Sequence, residues 1–262
     1  MARIHPTALV DPAAELADDV EVGPYAIVGP QVRVGSGTSI GAHTVISGRT
    51  TIGRSNRIFP HAAIGGAPQD KKYAGEDTEL TIGDGNTIRE FCTFNIGTAQ
   101  GGGVTRVGSD NWVMAYAHVA HDCCVGDHCI LANAVTLAGH VELGDWVILG
   151  GLTAVHQFCK VGPHAMTAGG SIVLHDIPPY VMAAGNSAQA FGINSEGLRR
   201  RGFSAEAISA VRRAYKVLYK SGLTLEQART ELDALTAGLD EGRAEVEVLT
   251  AFLRAVTRGI VR

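Results

Sequence analysis

The sequence predicts an all-β solenoid, a parallel β-helix of hexapeptide repeats, followed by a small α-helical C-terminal domain. Two observations predict the solenoid: an apolar residue recurs at every sixth position, and a small side chain follows four positions after each of them. The composition agrees, because 33 glycines with only 6% aromatic residues suit many tight corners around a narrow core. A period of six fits neither an α-helix nor one long alternating strand.

The first uninterrupted run of the repeat covers eleven apolar positions. They are Ile4, Val10, Leu16, Val22, Val28, Val34, Ile40, Ile46, Ile52, Ile58 and Ile64. The phase returns from Ile82 to Phe94, slips by one residue, continues from Val107 to Val161 and fades near Ile177. Three such sides form one coil, so residues 18 apart are expected to stack about 4.8 Å apart along the axis.

Four of the five cysteines occupy the small-residue position of the repeat, which favours a packing role. These are Cys92, Cys123, Cys129 and Cys159. The odd number and the absence of a C-x-x-C motif argue against a disulfide framework and a structural zinc site.

Two segments break the repeat and are predicted to leave the solenoid as loops, near residues 66–81 and 100–106. The β-helix is predicted to cover residues 1–190 and the helical domain residues 191–262. Ser204 is expected to cap one helix, and Thr224 with Gln227 forms a capping box for the next. A further helix is predicted over residues 243–257.

The net charge of -4 gives no general attraction to nucleic acid. No stretch approaches the roughly 18 apolar residues of a membrane span, and the N-terminus lacks the pattern of a signal peptide. A cytoplasmic protein with no nucleic-acid partner and no membrane span is therefore expected.

The 18-residue coil predicts which of the ten histidines of the chain share a line along the solenoid with other polar or small residues. It places His121, Gly139 and Gln157 on one line, and Asp122 beside His121. An imidazole oriented by a carboxylate suits a general base, and a glycine N–H close to it can stabilise an oxyanion. The alternative is a set of solvated histidines on the solenoid faces.

A local basic cluster lies in the helical region, although the chain as a whole is acidic. It comprises Arg199, Arg200, Arg201, Arg212, Arg213, Lys216 and Lys220. Such a cluster suits a phosphate clamp or a dock for an acidic protein, and the alternative is a solvated helix face.

Six sequence motifs give the chain a family resemblance. They are AHVAHDC (117–123), LAGHVELGD (137–145), GGLTAVHQF (150–158), PQDKKYAGE (68–76), QGGG (100–103) and NSEGLRRRGFS (194–204). Together and in this order they resemble the UDP-N-acetylglucosamine acyltransferases, over essentially the whole chain. The resemblance implies a left-handed β-helix and a homotrimer with its active sites in clefts between solenoids. It also implies transfer of an R-3-hydroxyacyl group to the 3-hydroxyl of UDP-N-acetylglucosamine, the first step of lipid A biosynthesis.

The resemblance assigns roles residue by residue. It implies His121 as general base, Asp122 as its orienting carboxylate and Gly139 as oxyanion donor. Predicted substrate-binding residues are Gln69, Asp70, Lys72, His118, His140, His156, Gln157, Asn194, Glu196, Arg200 and Arg201. The small residues Ala168, Gly169 and Gly170 are expected to leave the acyl groove open for a long chain. The acyl donor would be acyl carrier protein with a phosphopantetheine-linked hydroxyacyl chain, with no cofactor and no metal.

The chain departs from the family at one motif, where members often have His-Arg-Gly-Thr. Here the residues are Asn95, Ile96, Gly97 and Thr98, so an imidazole and a guanidinium are missing. Three other functions stay open: an acyltransferase for a 3-amino sugar nucleotide, a zinc-dependent solenoid resembling carbonic anhydrase, and a non-catalytic scaffold. The zinc enzymes typically carry His-x4-His, a spacing that is absent from this chain.

Overall fold

Three parallel β-sheets run along one axis, and each coil of the chain contributes one short strand to each sheet. A computed structural model describes residues 1–262. Sheet A contains Arg3–Ile4, Glu21–Val22, Ser39–Ile40, Arg57–Ile58, Thr87–Ile88, Trp112–Val113, Ile130–Leu131, Ile148–Leu149, Met166–Thr167, Val181–Ala184 and Gln189–Ile193. Sheet B contains Leu9–Val10, Ile27–Val28, Val45–Ile46, Ala63–Gly66, Thr93–Asn95, His118–Val119, Thr136–Leu137, Ala154–Val155 and Ile172–Val173. Sheet C contains Glu15–Leu16, Val32–Val34, Arg49–Ile52, Glu79–Ile82, Val104–Val107, Cys124–Val125, Glu142–Leu143 and Lys160–Val161.

The apolar residue of each hexad points into the solenoid and builds its core. Ile46 and Leu131 are fully buried, as are most of the residues at equivalent positions. The four cysteines of the small-residue position are at most 1% exposed, so their predicted packing role is confirmed. Burial raises the pKa of the Cys92 thiol to about 11, which keeps it protonated and unreactive at neutral pH.

The strand register follows the predicted 18-residue coil except at two longer steps and at the last coil, where Met166 pairs with Met182. Val22 pairs with Ile40, whereas Ile64 pairs with Phe94 and Phe94 with Val119. The two longer steps contain the first excursion, residues 67–78, and the second excursion, residues 96–103. Both leave the solenoid after a strand of sheet B, at the corner between sheets B and C.

The first excursion is shorter than the break in the repeat suggests, and the second, residues 96–103, begins and ends earlier than the predicted loop, residues 100–106. Residues 79–81 and 104–106 belong to strands of sheet C and pair with each other in register. Their backbone groups form ladder hydrogen bonds there, which a loop would have to replace with other partners. The second excursion contains a short 3₁₀-helix, Ala99–Gly101.

Each corner of the solenoid stacks equivalent turn residues. At the corner between sheets A and B, five rings form a ladder with centroids 4.9 to 5.1 Å apart. This aromatic ladder comprises Tyr25, His43, His61, Phe91 and Tyr116. At the corner between sheets C and A, the buried residues Asn56, Asn86 and Asn111 hydrogen-bond the next coil in turn.

An antiparallel strand and four helices close the C-terminal end. Gln189–Ile193 pairs antiparallel with Val181–Ala184, and the helices are α1 (Ser195–Arg200), α2 (Ala205–Lys220), α3 (Leu225–Ala237) and α4 (Arg243–Arg254). The cap at Ser204 and the capping box of Thr224 with Gln227 are confirmed. The domain boundary near residue 190 stays a proposal. None of these helices combines the length and the apolar character that a bilayer span requires.

Candidate functional site

Three successive turns at the corner between sheets B and C carry most of the predicted catalytic residues. They are residues 121–122, 139–140 and 157–158, each turn one coil beyond the last. The His140 N–H donates to the His121 carbonyl oxygen at 3.1 Å, and the Phe158 N–H donates to the Gly139 carbonyl oxygen at 3.1 Å. The predicted alignment of His121, Gly139 and Gln157 in successive coils is therefore present in the structure.

His121 and Asp122 form a hydrogen-bonded pair in the first of these turns. The His121 Nδ1 atom lies 2.8 Å from Asp122 Oδ2, and the Asp122 side chain is only 1% exposed. Because an ionised carboxylate can only accept, the neutral imidazole donates from Nδ1 and carries its lone pair on Nε2. The His121 side chain is 16% exposed, less than expected for a residue on a solenoid face.

The second excursion fixes the Asp122 carboxylate from the other side. The Thr98 N–H donates to Oδ1 at 2.9 Å, and the Thr98 hydroxyl donates to Oδ2 at 2.6 Å. A side chain on Gly101 would overlap the same carboxylate, so glycine is required there. The sequence reasoning missed Thr98 and Gly101, because the second excursion interrupts the 18-residue count that would have aligned them.

Gly139 lies against the imidazole of His121. A Cβ atom at this position would come within 2.5 Å of His121 Cε1 and 2.7 Å of Nε2. The Gly139 N–H donates to no group of the protein. Glycine thus leaves room for the imidazole, and its N–H donor has no partner within the chain.

Two further histidines surround the pair and are shifted toward the neutral form. Burial lowers the pKa of His140, and the negative charges of Asp122 and Asp70 oppose that effect in part. Burial also lowers the pKa of His118, whose Nδ1 atom lies 2.7 Å from the Thr93 hydroxyl. Both imidazoles are therefore available as neutral hydrogen-bonding groups at neutral pH.

The same cluster offers a possible set of metal ligands. His121, Asp122 and His140 each provide one ligand atom, and these atoms lie within 4.8 Å of one another. His140 Nε2 is 3.7 Å from Asp122 Oδ2. The expectation of chemistry without a metal stays a prediction.

His156 and Gln157 are exposed at the rim of the site, one coil beyond Gly139. The His156 Nδ1 atom lies 3.1 Å from the Gln157 carbonyl oxygen. Arg258, which follows the last helix, donates to the same carbonyl at 2.9 Å. The C-terminal segment therefore supports this turn of the solenoid.

The first excursion brings three predicted sugar-binding residues to the same corner. Gln69 and Lys72 are exposed, while Asp70 is half-buried. The Lys72 N–H donates to Asp70 Oδ1 at 3.0 Å, which shapes the turn. The negative charge of Asp70 opposes the effect of burial on the pKa of His140, so the two side chains lie in the same region of the molecule.

Asn95 and Ile96, the residues that depart from the family motif, are 6% and 5% exposed. Asn95 Nδ2 donates to the carbonyl oxygens of Gly66 at 3.3 Å and Ala67 at 3.0 Å. Ile96 packs close to Gly48 of an earlier coil. The Asn95 side chain therefore supports the root of the first excursion, while the Ile96 side chain packs in the solenoid.

The predicted nucleotide-binding residues form a separate group beside the corner between sheets C and A. Asn194 is buried and already engaged, because its Oδ1 accepts from the Gly197 N–H at 3.1 Å and caps α1. Glu196 forms ion pairs with Arg199 and Arg200.

Arg201, which follows α1, is held differently from Arg199 and Arg200 of that helix. Its guanidinium lies over the Trp146 ring, 5.1 Å from the centroid, and its Nη1 is 3.1 Å from His164 Nδ1. Burial, together with the positive charge of Arg201, lowers the pKa of His164 to about 4. His164 is therefore a neutral acceptor for Arg201.

The residues predicted to line the acyl groove lie at the third corner. Ala168, Gly169 and Gly170 follow the sheet A strand Met166–Thr167 and turn toward sheet B. A Cβ atom on Gly170 would meet no other atom within 4 Å. One chain thus distributes its predicted site residues over all three corners.

Comparisons with known proteins agree over the whole length. Residues 176–261 match the family model described as UDP N-acetylglucosamine O-acyltransferase, domain 2, and residues 13–48 and 105–139 match the bacterial transferase hexapeptide model. The chain is 64% identical to the acyl-[acyl-carrier-protein]--UDP-N-acetylglucosamine O-acyltransferase of Thiobacillus denitrificans, and 62% identical to that of Janthinobacterium sp. (strain Marseille), covering 100% of each. The crystal structure of the UDP-N-acetylglucosamine O-acyltransferase of Moraxella catarrhalis has a TM-score of 0.95 at 45% identity, over 99% of both chains. The predicted left-handed β-helix with a small helical C-terminal region is confirmed.

Proposed function

Because the chain belongs to the UDP-N-acetylglucosamine O-acyltransferase family, we propose that His121 is the general base of its acyl transfer. The enzyme transfers an R-3-hydroxyacyl group from acyl carrier protein to the 3-hydroxyl of UDP-N-acetylglucosamine, the first step of lipid A biosynthesis. The observation that carries the mechanism is the His121–Asp122 pair, held by Thr98 and covered by Gly139.

The geometry supports a sequence of balanced proton transfers. His121 Nε2 accepts the proton of the sugar 3-hydroxyl as its oxygen attacks the thioester carbonyl carbon. The Gly139 N–H then stabilises the oxyanion of the tetrahedral intermediate. When the C–S bond breaks, the imidazolium returns the proton to the leaving sulfur. Asp122 stabilises the imidazolium throughout, because its carboxylate remains hydrogen-bonded to Nδ1.

The charged groups around this pair suit the two ends of the substrates. Asp70 and Lys72 of the first excursion are proposed to hold the sugar, with Gln69 nearby. Arg200 and Arg201 supply positive charge for a diphosphate. Asn194 is proposed only as the cap that orients α1, since its side chain is already hydrogen-bonded. The exposed cations of α2 provide a surface for an acidic carrier protein.

We propose that the chain is a homotrimer, because sheet B and the later coils of sheet A present apolar residues outward. Sheet B exposes Leu9, Ile27 and Val45, and the outer end of sheet A exposes Trp112. Sheet C presents mainly charged residues outward, among them Glu15, Arg33, Arg106, Glu142 and Lys160. A ring in which sheet B of one chain meets sheet A of the next would cover the apolar faces and leave sheet C in water.

That arrangement would also complete the site. The aromatic ladder would lie nearest the threefold axis, and the cleft between two chains would open outward. His121 at the corner between sheets B and C would then face the neighbour's corner between sheets C and A, which carries Arg201.

The test is a transfer assay with a panel of hydroxyacyl carrier proteins and UDP-N-acetylglucosamine, with the product analysed by mass. We expect a single added hydroxyacyl group and a preference for a fourteen-carbon over a ten-carbon donor, since Ala168, Gly169 and Gly170 leave space. A preference for the ten-carbon donor would contradict the open groove. Competition with the 3-amino sugar nucleotide distinguishes the alternative acceptor, and the absence of any transfer would favour a scaffold.

A metal-dependent enzyme would have His121, Asp122 and His140 as its ligands. The same assay is therefore repeated after treatment with a chelator. The cytoplasmic location stays a prediction.

A further inference from the structure

Residues 95–97 attach the root of the first excursion to the solenoid, while farther along the excursion Asp77 forms an ion pair with Arg49 and Tyr73 packs against the core. Three hydrogen bonds hold its beginning: Asn95 Nδ2 donates to the Gly66 and Ala67 carbonyl oxygens, and the Ile96 N–H donates to Gly66 at 3.0 Å. At its end, the Gly97 N–H donates to the Glu79 carbonyl oxygen at 3.0 Å. Among the hydrogen bonds that residues 95–97 make, only the two from Asn95 depend on a side chain.

The amide of Asn95 donates only to Gly66, the last strand residue before the excursion, and to Ala67, the first residue of the excursion. Its Oδ1 atom is buried and has no hydrogen-bond partner, although the residue is only 6% exposed. A buried carbonyl oxygen without a partner destabilises a fold, because it loses its hydrogen bonds to water. Asn95 is buried in spite of this unfavourable contribution to stability. Both of its side-chain hydrogen bonds go to the backbone segment that leads to Asp70.

A histidine at this position could not make the same pair of bonds. A neutral imidazole has one N–H donor, whereas a primary amide has two and can reach two successive carbonyl oxygens. The short Asn95 side chain therefore provides a two-point anchor at the root of the excursion. Asp70 lies three residues beyond Ala67 in the chain, and its negative charge acts on His140 of the catalytic cluster.

We propose that Asn95 is a positioning residue that fixes the first excursion, and through it Asp70 and Lys72, for binding of the sugar nucleotide. This inference rests on the proposed function, since it assigns the excursion to the sugar side of the reaction. Asn95 touches no substrate itself. Its loss affects the affinity for the acceptor, while His121, Asp122 and Thr98 keep their contacts with one another.

The experiment compares Asn95→Ala with wild type by kinetics and by limited trypsin digestion. We expect the KM for UDP-N-acetylglucosamine to rise about tenfold, from the loss of two hydrogen bonds, with kcat and the KM for the acyl donor nearly unchanged. Trypsin should cut more rapidly after Lys71 or Lys72, both of which are exposed on the excursion. Mass analysis of the fragments identifies this cleavage among the others.

The matched control is Asn111→Ala. Asn111 is 1% exposed and also has one unpartnered amide atom, but it lies at the corner between sheets C and A and bonds Cys129. This variant should lower the melting temperature without changing the acceptor KM or the cleavage after Lys71 or Lys72. Asn95→Ser, a smaller change that keeps one donor, should shift both readouts in the same direction if Asn95→Ala does not fold.

An unchanged acceptor KM together with an unchanged rate of cleavage in Asn95→Ala would overturn the proposal. Equal increases in the KM of both substrates would also overturn it, because they indicate a general structural effect. If the wild-type protein transferred no acyl group, the proposed function would fail. The trypsin comparison would still decide whether Asn95 anchors the excursion.

Discussion

At the scale of single residues, the site depends on how tightly the solenoid constrains one imidazole. Asp122 accepts hydrogen bonds from His121 and Thr98, and Gly139 closes the space on the opposite side. Such a group needs little reorganisation before it accepts a proton, which is the condition for efficient general-base catalysis.

Replacing the base tests this arrangement directly. We expect His121→Ala to remain folded and oligomeric but to lose turnover by about 10²- to 10⁴-fold, because no other group can take the hydroxyl proton from that position. The measurement is kcat with saturating donor and acceptor. His5→Ala, an exposed histidine of the first coil, is the control and should retain normal turnover. Near-normal activity of His121→Ala would refute the mechanism.

The glycine beside the imidazole gives a second prediction. The added methyl group of Gly139→Ala would collide with His121 Cε1 at 2.5 Å, so the ring must move. A displacement of about 1 Å in a catalytic group lowers the rate by roughly 10²-fold. Gly151→Ala is the control, because its Cβ would approach no atom closer than 3.4 Å. Equal kcat values for the two variants would show that the close approach at Gly139 is unimportant.

The sequence predicted the alignment of His121 with Gly139, since a regular coil separates them. It did not predict the contact between Thr98 and Asp122, because the second excursion lies between them and its path depends on tertiary packing. The repeat itself contains this information, because Phe94 pairs with Val119 once the extra residues of the second excursion are counted. The same alignment brings Thr98 to the turn that contains Asp122. The engagement of Asn194 in a cap could likewise be seen only once α1 was located.

At the scale of elements, the sequence repeat predicted the regularly spaced strands of the solenoid. The hexads located the strands, and the capping residues located α2 and α3, since both signals are local. The short helix α1 and the antiparallel pair Val181–Ala184 and Gln189–Ile193 were not predicted. Their positions depend on contacts with the end of the solenoid.

The attachment of α1 to the solenoid is expected to depend on pH through His164. Its pKa is about 4 in the folded protein and near the usual 6.5 when unfolded. Between these values the unfolded chain binds a proton that the folded chain does not, so stability falls as the pH decreases from about 6.5 to 4. Above pH 6.5 this group contributes no pH dependence.

The measurement is the melting temperature from pH 7.5 to 4. In His164→Phe the melting temperature should fall less as the pH decreases. The phenyl ring keeps the stacking with Trp146 and Tyr180 but cannot be protonated. His5→Phe is the control for the loss of an exposed histidine. Identical pH profiles for wild type and His164→Phe would rule out this role for His164.

At the scale of the whole molecule, the contrast between faces leads to a prediction about assembly. Ile27→Asp places a charge on the apolar outer face of sheet B, where an interface would have to bury it. We expect this variant to dissociate to monomers and to lose activity, as measured by light scattering coupled to size exclusion. Thr51→Asp makes a similar change on the charged face of sheet C and should leave the assembly intact. If Ile27→Asp formed the same assembly as wild type, sheet B would not be the interface.

The distribution of site residues over different corners has a consequence for mixtures of chains. If His121 works with Arg201 of a neighbour, chains carrying His121→Ala and chains carrying Arg201→Ala can repair each other within one mixed ring. Random reassembly of equal amounts would restore roughly a quarter of the wild-type sites, since each site needs one intact partner of each kind. Two proteins that are each defective would thus become active when unfolded together and refolded. A mixture no more active than the average of its components would mean that each chain carries its own complete site.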